Sequence, residues 1–82
     1  MERIARTPEQ IGEAIRQRRS RLGWNQTKLA EKTGLRQSTV SEVERGKSGA
    51  LLGTICDLLA ALDLELVIRP RSKAAPEIED IF

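Results

Sequence analysis

A chain of 82 residues is long enough for one small domain, and no apolar run in it approaches the ~20 residues that a membrane-spanning helix needs. It has no histidine, no tyrosine and one cysteine, which removes the most-used general base, the commonest metal ligand, cysteine-cluster metal sites and internal disulfides, so the composition argues against an enzyme. The charge is uneven: residues 1–47 hold eleven Lys/Arg against six Asp/Glu, residues 48–71 hold two against three, and residues 72–82 hold one against three, so the first half suits a polyanion and the end does not.

Residues 1–6 read as an N-terminal arm without the apolar stretch of a secretory signal, which predicts a cytoplasmic, nucleoid-associated chain. Thr7-Pro8-Glu9-Gln10 reads as a helix start. Thr7 is a good N-cap, Pro8 suits the first helical position, and Gln10 sits where a capping box wants it. Ile11, Ala14, Ile15 and Leu22 follow at helical spacing, and Gly23 ends the helix. Asn25 caps a second helix running to about Lys32 with Leu29 and Ala30 facing in, and Gly34 stops it with a positive φ. A third helix starts near Arg36 or Gln37, buries Val40 and Val43, and ends at Gly46. Leu52, Ile55, Leu58, Leu59 and Leu62 form the stripe of a fourth, widened by Cys56, Ala60 and Ala61. Cys56 reads as a small core residue. Trp24 is expected to pack over the join of the first two helices. The period then changes to two: Leu64, Leu66 and Ile68 alternate with Glu65, Val67 and Arg69, the pattern of a strand closed by Pro70. Residues 71–82 are expected to form a flexible tail.

Two short helices joined by a glycine-containing turn of three or four residues make the helix-turn-helix pattern. Its second helix enters the DNA major groove while the first lies across the backbone. The third helix offers groups able to reach base edges. Gln37 can pair bidentately with adenine, Arg36 with guanine, and Ser38 and Ser41 with either base type. Glu42 has two readings: it accepts from cytosine N4, or it pairs with Arg45 or Arg36. Asn25 and Gln26 stand at a helix N-terminus, where free N–H groups and the dipole favour a phosphate. Thr27, Thr39, Arg45 and Lys47 complete the candidate phosphate contacts.

The run from Trp24 to Lys47 resembles the Xre/Cro family of helix-turn-helix repressors. It carries Gln26 opening the second helix, Leu29-Ala30 within it, Gly34 in the turn, and Ser41, Val43, Glu44 and Gly46 at the close. The resemblance covers residues 8–62. It implies a mostly α, lambda-repressor-like domain of four to five helices, here residues 7–63. It also implies that Gln26 braces Gln37 and that Arg19 and Glu44 form a structural ion pair between the first and third helices. A narrower resemblance, to the HipB-type antitoxins, rests on Arg6-Thr7-Pro8, on Ile15-Arg16-Gln17-Arg18-Arg19, on Glu44-Arg45-Gly46-Lys47, on Leu52-Gly53-Thr54 and on Leu62-Asp63-Leu64-Glu65-Leu66. It implies base contact by Arg36, Gln37, Ser38 and Ser41, autorepression at palindromic operators, and a HipA-type Ser/Thr kinase toxin as partner.

A lone strand leaves a row of unpaired N–H and C=O groups. Residues 64–70 are therefore expected to pair with the same strand of a second copy, with Leu62, Leu64, Leu66 and Ile68 at the homodimer interface. No cofactor, metal, membrane or small-molecule ligand is expected. A stand-alone phage-type or metabolic repressor without a toxin is the alternative.

Overall fold

The computed structural model describes residues 2–47 and 49–72. It contains four helices: α1 (Pro8–Arg21), α2 (Gln26–Thr33), α3 (Gln37–Glu44) and α4 (Leu52–Ala61). Each begins where local chemistry permits. Thr7 and Asn25 are extended, and their side chains accept from Gln10 N and Lys28 N, filling one orphan donor at each helix start. Gln10 does not close the expected capping box on Thr7; its side-chain oxygen accepts instead from the backbone N–H of Arg6, one residue earlier. On the exposed side of α1 the Arg16 guanidinium donates to Glu13 and holds that carboxyl below its ordinary pKa. The small stabilisation from this pair is present at neutral pH and is lost as the pH falls through the lowered value.

All four helices stop in the same way. The residue after the last turn is left-handed, namely Gly23, Gly34, Gly46 and Asp63, with φ of 76°, 74°, 76° and 58°. The next N–H then reaches back into the last turn: Trp24 to Arg19, Leu35 to Ala30, Lys47 to Glu42 and Leu64 to Leu59. This satisfies carbonyls that would otherwise be orphaned. Glycine takes the conformation without a Cβ penalty, whereas Asp63 adopts it at some cost.

Ile15, Leu29, Val40, Leu58 and Leu62 are fully buried, and Ala30 and Val43 nearly so, which places one side chain or more from each helix in a single core. Burying an aliphatic side chain of this kind stabilises by roughly 1.5–3 kcal/mol. Trp24 packs half-buried against the core, with the Lys32 ammonium 5.2 Å from its ring centroid. Gly12 lets α1 and α3 touch, because a Cβ there would collide with the carbonyls of Val43 and Glu44.

The same two helices are tied by an ion pair. Arg19 Nε and Nη2 donate to the two carboxylate oxygens of Glu44 at 2.6 and 3.0 Å, and Arg19 Nη1 donates to the Trp24 carbonyl at 2.8 Å. The Glu44 side chain is only 2% exposed. A carboxylate so far from water needs both the Nε and the Nη2 donor.

Further sequence expectations need correction. Residues 64–70 form no strand, since a ladder needs a partner and the described residues supply none. Leu62, expected at a dimer interface, is wholly buried in its own domain. Cys56, expected in the core, is exposed. Leu52 and Leu22, read as inward positions, are 67% and 39% exposed; they sit at helix ends, beyond the reach of the neighbouring helices. The expected tail lies outside the described residues from 73 onward.

Replacing Glu44 with Ala strands the Arg19 guanidinium. The expected cost is ~3–5 kcal/mol, read as a large drop in melting temperature; an unchanged melting temperature contradicts a structural role for the pair. Asp63→Gly relieves the left-handed aspartate and is expected to raise stability by up to about 1 kcal/mol in urea unfolding.

Candidate nucleic-acid interface

The turn between α2 and α3 is Gly34-Leu35-Arg36. Leu35 is tucked against the core, and Arg36 is the extended N-cap of α3. With Val40, Val43 and Glu44 turned inward, the remaining positions of α3 face out. Arg36, Gln37, Ser38, Glu42, Arg45 and Lys47 are exposed, and Thr39 and Ser41 are half-buried. The outward face is therefore polar and mostly uncharged, flanked by cations at both ends.

Gln26, the first residue of α2, crosses to this face. Its amide nitrogen donates to Glu44 Oε1 at 3.1 Å, and its amide oxygen accepts from Gln37 Nε2. The carboxylate fixes both orientations. An ionised carboxylate only accepts, so the Gln26 nitrogen must point at it, the Gln26 oxygen must point outward, and Gln37 must donate. That leaves Gln37, an exposed residue, with a second N–H and its carbonyl oxygen not engaged by Gln26. Such a donor–acceptor pair is what the adenine edge, N7 beside N6–H, requires. The Gln26 link to Glu44 has no counterpart in the sequence reading: spacing alone does not tell which of several polar neighbours a buried carboxylate takes as its third donor.

Beside Gln26, Asn25 and Thr27 are exposed at the start of α2, with the Asn25 oxygen engaged in capping. Arg45 and Lys47 follow at the end of α3. Thr39, Glu42 and Lys47 also line a shallow cleft of about 260 Å³ with Leu51 of the α3–α4 connection and Thr54 of α4. Leu51 is 75% exposed there, an apolar surface that the sequence pattern did not signal. Among the described residues Glu42 makes no ion pair, so neither Arg45 nor Arg36 neutralises it. The structure thus gathers Arg36, Gln37, Ser38, Ser41 and Glu42 with Asn25, Gln26, Thr27, Thr39, Arg45 and Lys47 around one face. Leu64, Leu66 and Ile68 belong to a different region: Leu64 packs half-buried against the core, and Leu66 and Ile68 lie in the segment beside residues 2–6. Among the described residues no cluster of three or more His, Cys, Asp or Glu could hold a metal ion, and no helix is long and apolar enough to cross a membrane.

Comparison with known proteins agrees with this geometry. Residues 15–68 match the helix-turn-helix family model HTH_3. An uncharacterised HTH-type transcriptional regulator of Sinorhizobium fredii, y4dL, is 37% identical over 79 residues; the match takes in 96% of this chain but only 40% of that protein's length. Antitoxin HipB of Escherichia coli is 32% identical over 71 residues, covering 87% of this chain and 81% of HipB. Among solved structures, a chain of the HipA-HipB-O2-O3 complex superposes with a TM-score of 0.79 at 28% identity, covering 87% of this chain and all of that one. The HipB-O4 20mer complex gives 0.80 at the same identity and coverage. The chain belongs to the Xre-type helix-turn-helix family of transcription regulators and lies close to the antitoxin HipB in both sequence and structure.

Proposed function

We propose that this chain is a dimeric, sequence-specific DNA-binding repressor that acts as the antitoxin of a HipBA-type module, occupying palindromic operators of its own operon and binding a HipA-type Ser/Thr kinase. The observation that carries the DNA-binding reading is the exposed Gln37 amide, oriented from behind by Gln26 and the buried Glu44. In this reading α3 enters the major groove with Arg36, Gln37, Ser38, Ser41 and Glu42 toward base edges. Asn25, Gln26, Thr27, Thr39, Arg45 and Lys47 bind the flanking phosphates. Repression is then promoter occupancy, without chemistry.

The dimer rests on surface that one chain leaves open. Leu66 and Ile68 are 53% and 91% exposed, and the outer side of α4 presents Leu52 and Cys56 to solvent. Antiparallel pairing of residues 64–70 with a second copy satisfies their backbone groups and covers this apolar surface. A two-fold axis there sets two α3 helices on successive turns of a duplex, about 34 Å apart or a multiple of it. The kinase partner is inferred from the similarity to HipB, which is solved in complex with HipA. The likeness to y4dL, an uncharacterised HTH-type transcriptional regulator, also fits a second reading, a stand-alone repressor without a toxin. Co-purification of a kinase with the chain from its native cells separates the two.

Fluorescence anisotropy on a selected duplex tests the assignments. Gln37→Ala is expected to cost ~1–3 kcal/mol on the preferred sequence and to relax the choice at one base position. Lys47→Ala is expected to weaken all duplexes alike and to shorten the salt slope by about 0.9. Unaltered base preferences in Gln37→Ala contradict the reading. Leu66→Asp leaves the core of a single chain intact, because Leu66 is half-exposed. Sedimentation equilibrium should therefore find folded monomers with reduced affinity for a palindrome, and a persistent dimer would move the interface elsewhere.

A further inference from the structure

The opening residues and the last described ones lie side by side. Arg6 Nη2 donates to the backbone carbonyl of Ser72 at 3.1 Å, and an open furrow of about 380 Å³ runs between residues 2–6 and 66–72. Four arginines line it, Arg3, Arg6, Arg69 and Arg71, against the single carboxylate of Glu2. Among the described residues none of the four is paired with an acid: Arg3 donates to the neutral Gln17 amide and Arg6 to a carbonyl. Between the cations lies apolar surface, with Ile4 and Val67 at 49% and 65% exposure. Cations crowded around open apolar walls suit a ligand that is itself both acidic and apolar.

Residues 76–82 of the chain read Pro-Glu-Ile-Glu-Asp-Ile-Phe, three acids interleaved with three large apolar side chains. The chain enters this segment from Ser72, which is itself part of the furrow wall. Five residue steps from Ser72 to Glu77 reach at most about 18 Å, so the segment is tethered to the mouth of the furrow at high effective concentration. We propose that the furrow is a docking site for an acidic, apolar-studded peptide, and that its occupant is this chain's own segment 76–82.

Two other placements fit less well. The face of α3 is also flanked by cations, but it carries the unpaired carboxylate of Glu42 and is otherwise polar, with little to seat Ile78, Ile81 or Phe82. Residues 76–82 of a second copy would lack the short tether that Ser72 gives to this chain's own segment. Docking of residues 76–82 sets three carboxylates among the four arginines, covers the exposed walls, and holds the arm against the C-terminal segment. A partner that binds either residues 76–82 or the furrow must first separate them.

The test is nuclear magnetic resonance of the ¹⁵N-labelled full chain. The variant Glu77→Gln/Glu79→Gln/Asp80→Asn is expected to shift the amides of residues 3–6 and 66–72 and to leave those of α2 and α3 in place. In the unaltered chain, raising the salt from about 0.1 to 1 M shortens the screening length from about 10 to 3 Å and should move the furrow amides toward the variant's positions. Conversely, Arg69→Gln/Arg71→Gln should shift the amides of residues 77–82. Furrow amides that ignore the charge of residues 77–80 overturn the proposal. So do shifts confined to α3, which put the segment on the other basic face, and a difference between variant and unaltered chain that vanishes on dilution, which gives the furrow to residues 76–82 of a second copy.

Discussion

A carboxylate with 2% of its side chain exposed is the constraint around which this small domain is organised. Glu44 is bearable in the interior because Arg19 approaches it with two parallel donors and Gln26 with a third. Those donors come from α1 and from the first residue of α2, while the acceptor belongs to the last turn of α3. One buried charge therefore fixes the relative placement of three helices. A pair of this kind is weak evidence for net stability, since an apolar replacement could pack as well. Its distinct contribution is orientation. The carboxylate decides which end of the Gln26 amide points inward, and that decides how Gln37 presents itself on the outer face of α3. Charge in the core is converted into hydrogen-bonding direction at the surface.

The remaining architecture frees α3 for this purpose. Gly12 lets α1 lie against the end of α3, and the left-handed glycines end each of the first three helices without spending core residues on the turns. Val40 and Val43 anchor α3 from below, which leaves its polar side turned outward.

Much of this was legible in the sequence, because it depends on contacts close along the chain. Thr7, Asn25, Gly23, Gly34 and Gly46 mark helix ends through their own backbone chemistry, and the periodicity of Ile15, Leu29, Val40 and Leu58 marks the inward faces. The outward residues of α3 follow by subtraction. The pairing of Arg19 with Glu44, 25 residues apart, was accessible only through family resemblance, and the third donor from Gln26 was not accessible at all. Asp63 in a left-handed cap also gave no warning, as aspartate is not the usual residue there.

The misreadings gather at the C-terminal end. The apolar stripe of α4 is broader than one domain can cover. Leu58 and Leu62 turn to the core while Leu52 and Cys56 stay outside, and periodicity cannot say which edge of a wide stripe meets its own chain. Residues 64–70 carry the alternation of a strand, yet alternation records burial on one side and not the presence of a hydrogen-bonding neighbour. Both departures leave apolar surface without cover.

The claim on which the account turns is that Gln26 acts through Gln37. A double-mutant cycle on duplex affinity, with Gln26→Ala, Gln37→Ala and the two combined, measures that dependence directly. The account predicts marked non-additivity: once Gln37 is gone, removing Gln26 costs only what its own phosphate contact is worth. Losses that simply add would mean that the two side chains work independently, and the relay from the buried carboxylate to the reading face would have no role in recognition.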